Sequence, residues 1–534
     1  MKKFLTGLIH SNWFFVAITG FVIVLPLSEA LVSVFAGVVL ATALIEDKWT
    51  KKWNRLKSRK YILLIPVIFL MYLISGVVTM KYGDSFYDVK KVMFYFVFPV
   101  AFSLGKELNQ RQKRYVLYIF SSSVLLAILV ALVRWKLTTN IGDFSFRNIS
   151  LISHIRFSFQ LILVIWFLIY ISYVNYRKLS VSKLLILFGL TLVYLAYLGF
   201  QQSLTGIVAF VASGLFFLLY TFNQTKGEYK VPLIVGIILL VVVPVIYVRQ
   251  VVRNFYKFDR VDTENVDQVT AEGNPYTQNF NNKMVENGHF VGLYICEDEM
   301  RREWNKMSAY KYDSVGLNGY PVSSTLERYL TSKNLRKDAE GIKSLTTRDI
   351  ENIENGMSNV IFQDKFSLYP RIYQTVWEYY VYTNTGNSNH QSFSQRIEFA
   401  RAAITIIKEH FWLGVGTGRW KRAFAQAFKE NNSKLDENLY ASSHNQYLNY
   451  MVKFGVPGFL LIMFLLAYPV VKTKRYNDPL FMILLFFMIF ANLADSNLES
   501  HMGSSFFFFF YCFFMTGPLT YLKLENGSLK SIKD

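Results

Sequence analysis

Cysteine is nearly missing from this chain, which holds Cys296 and Cys512 and no others. Cys296 falls in a polar stretch and Cys512 inside an apolar run, environments too different for pairing, so the fold is expected to hold without an internal disulfide. Charge is also scarce: 18% of residues are charged against 52% hydrophobic and 17% aromatic. A soluble chain of that composition could not bury its apolar surface on itself, so lipid must solvate much of it. The middles of the apolar runs are almost free of ionisable groups, and no acidic relay suited to a proton-coupled pump crosses them. There is no internal repeat, and Phe506 to Phe510, the one low-complexity stretch, lies inside an apolar run. Lys2 and Lys3 precede the first run as they would in a signal peptide, but no small-residue cleavage site follows, so a retained helix is expected.

The fold class that follows is an all-α polytopic membrane protein, because open sheets cannot satisfy their backbones in lipid. Apolar runs predict about twelve transmembrane helices, near residues 12–27, 30–45, 61–80, 92–105, 115–133, 157–173, 184–200, 205–222, 231–249, 455–471, 479–493 and 504–522. The net charge of +20 would suit a nucleic-acid partner if the basic residues formed a platform. They do not. Alternate connections, from Met1–Lys3 to Lys523–Asp534, hold 24 Lys/Arg, whereas the connections of opposite parity hold 7. This bias predicts both termini in the cytoplasm and excludes a polyanionic partner.

One segment without a long apolar run, residues 250–443, separates transmembrane helices 1 to 9 (residues 1–249) from helices 10 to 12 (residues 444–534). It carries 24 Lys/Arg against 24 Asp/Glu and is expected to be a mostly helical periplasmic domain. Its first part reads as loop, and Glu297–Lys306, Ser323–Leu335, Arg348–Asn355, Arg371–Tyr382 and Gln395–His410 read as helices with one apolar face.

Polar residues collect at the outer ends of the runs: Lys90 and Lys91, then Arg147, His154 and Arg156, then Gln201 to Thr205, and finally Arg396, His444, Asn445, Asp495, Glu499 and His501. An interfacial arginine most often anchors its helix by snorkelling, but arginines at headgroup depth can also grip a phosphate or pyrophosphate. The most informative stretch is Arg396-Ile-Glu-Phe-Ala-Arg401-Ala-Ala403, then Gly414-Val-Gly-Thr-Gly418, then His444-Asn445-Gln-Tyr-Leu448, then Gly455-Val-Pro-Gly458. A dinucleotide reading of the glycines fails because no strand surrounds them.

This order and spacing resemble the bacterial O-antigen ligase and polymerase family, glycosyltransferases that act on lipid-linked oligosaccharides. The resemblance implies a metal-independent, cofactor-free, inverting enzyme of the bacterial inner membrane. Its donor would be a glycan on undecaprenyl pyrophosphate, and its acceptor lipid A core, another lipid-linked glycan or a protein. His444 would then be the catalytic base, Arg396 a pyrophosphate ligand, and Asn445, Arg401 and Glu499 supporting groups. Family members usually carry a further arginine at the outer junction of the two spans before the loop. Here that place reads Gln202-Ser203-Leu204, so Gln202 and Ser203 are supporting candidates and Arg156 is expected to supply the missing charge. A non-catalytic lipid-glycan transporter is the alternative of a different class; it would make His444 dispensable.

Overall fold

A computed structural model describes residues 12–82, 85–138, 149–225, 227–262, 264–317 and 319–519. Lys2 and Lys3, Arg147, the basic C-terminal segment and the end of the last expected span lie outside the described residues.

Polar residues between the apolar runs set the helix boundaries. Asn12 accepts from the Phe15 amide at 2.9 Å and starts Trp13–Val24. Ser28 caps Glu29–Ile45, Ser203 caps Leu204–Gln224, and Ser500 caps His501–Met515. Asp478 caps Pro479–Ala494, whose first residue is a proline with no amide hydrogen to leave unsatisfied.

A helix occupies each of the twelve positions expected to span, but length divides them. Seven are long and apolar enough to cross a membrane: Ile62–Thr79, Gln110–Leu137, His154–Asn175, Val181–Phe200, Leu204–Gln224, Lys230–Phe255 and Gln446–Lys472. Glu29–Ile45 and Trp49–Ser58, bent at 112°, make an eighth if counted as one span. Trp13–Val24, Pro479–Ala494 and His501–Met515 are apolar but shorter, and at 1.5 Å per residue they rise only about 18–24 Å against a hydrocarbon core of about 30 Å. Hydropathy reads composition well, but it cannot see where a helix stops, and caps such as Ser500 decide that.

Within this membrane body the phenylalanine run is a core element. Phe506 to Phe510 are all buried, and Phe509 stacks on Phe21 with ring centroids 4.5 Å apart. A helix apolar all round needs protein or lipid on every side, and here protein supplies it. Lys230–Phe255 is the opposite case, with residues 231–248 largely exposed, as a lipid-facing helix requires.

A second compact body comprises Val242–Gln395 with the described residues from Trp135 to Thr138. Its core gathers Met300, Trp304, Leu326, Tyr329, Ile342 and Ile353. Glu297–Met307, Val322–Ser332, Thr347–Glu354 and Tyr369–Thr385 coincide with expected helices, and the five-residue Ala339–Lys343 is too short to show a period. A two-residue hairpin, Val285–Glu286 with His289–Phe290, turns on Asn287 and Gly288, both at positive φ (51° and 94°). Buried Glu286 pairs with Arg328 at 2.7 Å, and Asp349 pairs with Lys333 at 2.7 Å. Both cysteines are free and buried. From Arg396 onward the chain packs with the membrane helices, and this return segment includes a helix not anticipated from the sequence, Trp420–Glu430.

Candidate functional site

The start of Gln446–Lys472 organises the site. Asn445 Oδ1 accepts from the Tyr447 and Leu448 amides at 2.9 and 3.1 Å, and its Nδ2 donates to the Leu493 carbonyl at 3.0 Å. Asn445 is therefore a helix cap that also ties this helix to the end of Pro479–Ala494. The residue before the cap, His444, is held in the left-handed region at φ 47°, which histidine tolerates better than most residues. The Ser443 hydroxyl braces the turn, donating to Asn449 Oδ1 at 2.6 Å and accepting from the Asn445 amide at 3.2 Å.

His444 Nδ1 lies 3.1 Å from Asp495 Oδ1, and its ring stacks on Phe399 at a centroid distance of 5.5 Å. Arg156 Nη2 holds the other oxygen of Asp495 at 2.8 Å, and Arg156 Nε reaches Ser500 Oγ at 3.4 Å. Burial alone would push the Asp495 carboxyl up, but the His444 hydrogen bond and the Arg156 charge outweigh it and hold it well below the usual carboxylate range. Asp495 is thus an anion at neutral pH. It favours the tautomer with its proton on Nδ1 and leaves the Nε2 lone pair of the 40% exposed histidine side chain to act as a base.

Arg396 lies on the helix Ser392–Glu409, three residues before Phe399 and so on the face that meets His444. It is half-buried and makes no ion pair among the described residues. Arg401 faces outward, 57% exposed and paired with Glu398 at 3.2 Å. Ser203 accepts from the Gly206 amide at 3.2 Å as a cap, and Gln202 forms the turn before it at φ 48°. A Cβ on Gly206 would stand 2.5 Å from Ser158 Oγ, so this turn packs on the helix that begins at His154 and carries Arg156.

The glycine turn serves packing. Gln446–Lys472 breaks at Gly455 (φ 71°), and the freed carbonyls of Val452 and Lys453 accept from the Val415 and Gly416 amides at 2.8 and 2.9 Å. A Cβ on Gly414 would meet the backbone of residues 453–455 at 2.5 Å. On its other side the turn docks on Ile65–Thr79, with the Thr417 amide on Ser75 Oγ at 3.0 Å and the Gly418 amide on Thr79 Oγ1 at 2.8 Å.

The break positions Lys453, which the sequence analysis missed. Its Nζ sits 3.0 Å from Glu499 Oε2, with both side chains nearly buried, and lies over the rings of Tyr72 and Trp420 at 5.6 and 5.5 Å. Glu499 also accepts from Tyr72 OH and, at 3.1 Å, from Asn449 Nδ2. Gln446 Oε1 fixes the approach to Glu499 by accepting from the Leu498 and Glu499 amides at 2.8 and 3.2 Å. The available signal was a lone ionisable residue within the apolar helix 446–471.

Residues 343–463 match the family described as O-antigen ligase. The resemblance read from the sequence is thereby borne out. The O-antigen ligase match takes in Arg396, the glycine turn, His444 and Lys453, and ends before Asp495 and Glu499. Among curated proteins, none matches the chain. The chain is a multi-pass membrane protein with a segment, residues 343–463, that is similar to this family.

Proposed function

We propose that the chain is an O-antigen ligase-type glycosyltransferase of the bacterial inner membrane, with both termini cytoplasmic and the 250–443 segment periplasmic. The donor is a glycan on undecaprenyl pyrophosphate, and the favoured acceptor is lipid A core. The observation that carries the reading is Asp495 bridging His444 and Arg156 at the ends of membrane helices, with Arg396 on the helix face next to His444. His444 Nε2 takes the proton of the acceptor hydroxyl as that oxygen attacks the anomeric carbon from the side opposite the pyrophosphate. The anomeric C–O bond breaks, its electron pair leaves with undecaprenyl pyrophosphate, and the configuration inverts. Asp495 stabilises the imidazolium that forms. Arg396 and the remaining N–H groups of Arg156 meet the charge that develops on the leaving group. No metal enters this scheme.

The decisive assay offers purified protein a lipid-pyrophosphate glycan together with lipid A core, a second donor molecule and a periplasmic protein. Labelled lipid A core is the expected product. Labelling of the second donor or of the protein would instead assign polymerisation or protein glycosylation to the same site. His444→Ala is expected to insert normally and to lose transfer by a factor of about 10² or more; full turnover by that variant would overturn the reading and favour a transporter. Arg156→Ala is expected to lose donor turnover, and wild-type turnover would remove its assignment.

A further inference from the structure

Gln446, Asn449 and Lys453 lie buried in the helix Gln446–Lys472. Their spacing of three and four puts them on one face of that helix. All three grip the loop that follows Pro479–Ala494: Gln446 through the Leu498 and Glu499 amides, Asn449 through Ser496 and Glu499, and Lys453 through Glu499. Asn449 also reaches back to the turn that carries His444. Its Oδ1 accepts from the Ser443 amide at 3.2 Å and the Ser443 hydroxyl at 2.6 Å, while its Nδ2 donates to Ser496 Oγ at 2.7 Å and to Glu499 Oε2 at 3.1 Å. A side-chain amide offers two donors and two acceptor positions, so Asn449, at 2% exposure, has all of them engaged. These bonds close a ring. Ser443 is joined to His444 by a peptide bond, His444 Nδ1 meets Asp495 Oδ1 at 3.1 Å, the Ser496 amide donates to that same oxygen at 2.8 Å, and Ser496 Oγ returns to Asn449.

We propose that Asn449 is a positioning residue that sets the separation of His444 and Asp495, holding the turn before the imidazole and the residue after the carboxylate at once. This rests on the transferase reading above. Arg156 holds the far oxygen of Asp495, and Asn445 ties the helix end to Leu493, two residues before it. Gln446 anchors the loop further on, at Leu498 and Glu499. Asn449 takes the step between them, where the carboxylate must meet the ring. A leucine at this position has nearly the same size but no polar atom, so Ser443 and Ser496 lose their shared partner and the His444–Asp495 bond is free to lengthen. Hydrogen bonds weaken steeply away from their ideal geometry, and a displacement of about 1 Å at a reacting group can cost about 10²-fold in rate. Because Arg156 and Asn445 remain, the expected loss is smaller than that. A buried asparagine in a membrane helix can also serve only to join helices. That role predicts lost stability alone, whereas positioning also predicts a change at the histidine ring.

The test uses full-length protein with isotopically labelled histidine in lipid nanodiscs. The tautomer of His444 is read from its ring-nitrogen chemical shifts in alkaline buffer, with His444→Ala identifying the signal, and transfer is measured separately with a lipid-pyrophosphate donor. The wild type is expected to carry its ring proton on Nδ1. Asn449→Leu is expected to lose that preference and to lower kcat about tenfold, while the donor and acceptor KM stay within about twofold of wild type. Ser496→Ala removes the bond between Asn449 and the Ser496 hydroxyl, is expected to move both readouts in the same direction by less, and carries the same test should Asn449→Leu fail to insert. A wild-type tautomer in the variants, a shifted tautomer with unchanged kcat in an active protein, or a loss of transfer carried by KM alone overturns the assignment. A shifted tautomer in the variants of a protein that shows no transfer even as wild type supports the hold on the His444–Asp495 pair and overturns only the transferase reading.

Discussion

Removing the Glu499 carboxylate while leaving Lys453 in place is expected to harm this protein more than the reverse change. In Glu499→Gln the Lys453 ammonium, 5% exposed, keeps only the faces of Tyr72 and Trp420 at 5.6 and 5.5 Å and a neutral amide in place of its counter-ion. Breaking a buried pair from one side costs about 3–5 kcal/mol, because a charge is left in low dielectric without its partner. In Lys453→Met the carboxylate keeps its hydrogen bonds from Tyr72 OH and Asn449 Nδ2. The loss is then roughly the one charge-assisted bond, about 1.5–3 kcal/mol, offset by an apolar side chain of similar length packing beside two aromatic rings. The double variant removes both charges and should be more stable than Glu499→Gln alone by about 1–3 kcal/mol. The assay is unfolding of the purified protein in mixed micelles, followed by tryptophan fluorescence, for the four members of the cycle. Additive effects, or a Lys453→Met protein as unstable as Glu499→Gln, would refute the claim that this is a desolvated pair held mainly from the carboxylate side.

Asp495→Asn should lower transfer by about 10- to 100-fold through loss of the group that orients His444, with normal membrane insertion; a wild-type rate would separate Asp495 from the mechanism. Because the Asp495 carboxyl is held below its ordinary value, its contribution to stability is fully present above the unfolded pKa of about 3.9 and is lost only as pH falls further. In a His444→Ala background, where no histidine is coupled to this carboxylate, an Asn-minus-wild-type stability difference at position 495 that changes between pH 5 and 8 would contradict this. Gly455→Ala must adopt φ 71° with a Cβ 2.5 Å from the Trp412 carbonyl and should cost at least about 2 kcal/mol. Gly37→Ala, where nothing lies within 4 Å, should be neutral or slightly stabilising; equal effects at the two positions would show that the kink is not required. In the Val242–Gln395 body, burial pulls Lys337 down to about 8, partly opposed by Glu327 and Asp338. The unfolded chain then binds the extra proton above pH 8, so wild-type stability relative to Lys337→Met should rise between about pH 8 and 10.4, by up to about 3 kcal/mol. A flat difference across that range would mean that Lys337 is solvated.

Several candidate site residues were legible because their placement is carried by local pattern. His444-Asn445 stands before an apolar run, and a short polar side chain there can only cap the helix, which in turn fixes where the histidine sits. Arg396 and Phe399 share a helix face by spacing alone. Asp495 and Glu499 could be named as polar residues between two apolar runs, but not given roles, since those depend on partners 51 and 46 positions away in sequence, His444 and Lys453. Arg156 was expected to offer its charge to a phosphate. Its ion pair with Asp495 adds a second role, stabilising the carboxylate behind the histidine. The glycine turn had the spacing of a ligand loop, and its contacts with the Val452–Gly455 kink and with Ile65–Thr79 give it a packing role that no local pattern announces.

The sequence by itself determined the helical membrane class, the positions of the apolar helices and the histidine motif, because hydropathy, loop charge and capping act over a few residues and can be summed along the chain. Tertiary structure alone decided which expected spans are long enough to cross, which carboxylate stands behind His444, and that Lys453 pairs with Glu499. Those outcomes depend on where helix ends meet in space. A burial penalty or an ion-pair energy exists only once distant segments exclude water from the same volume.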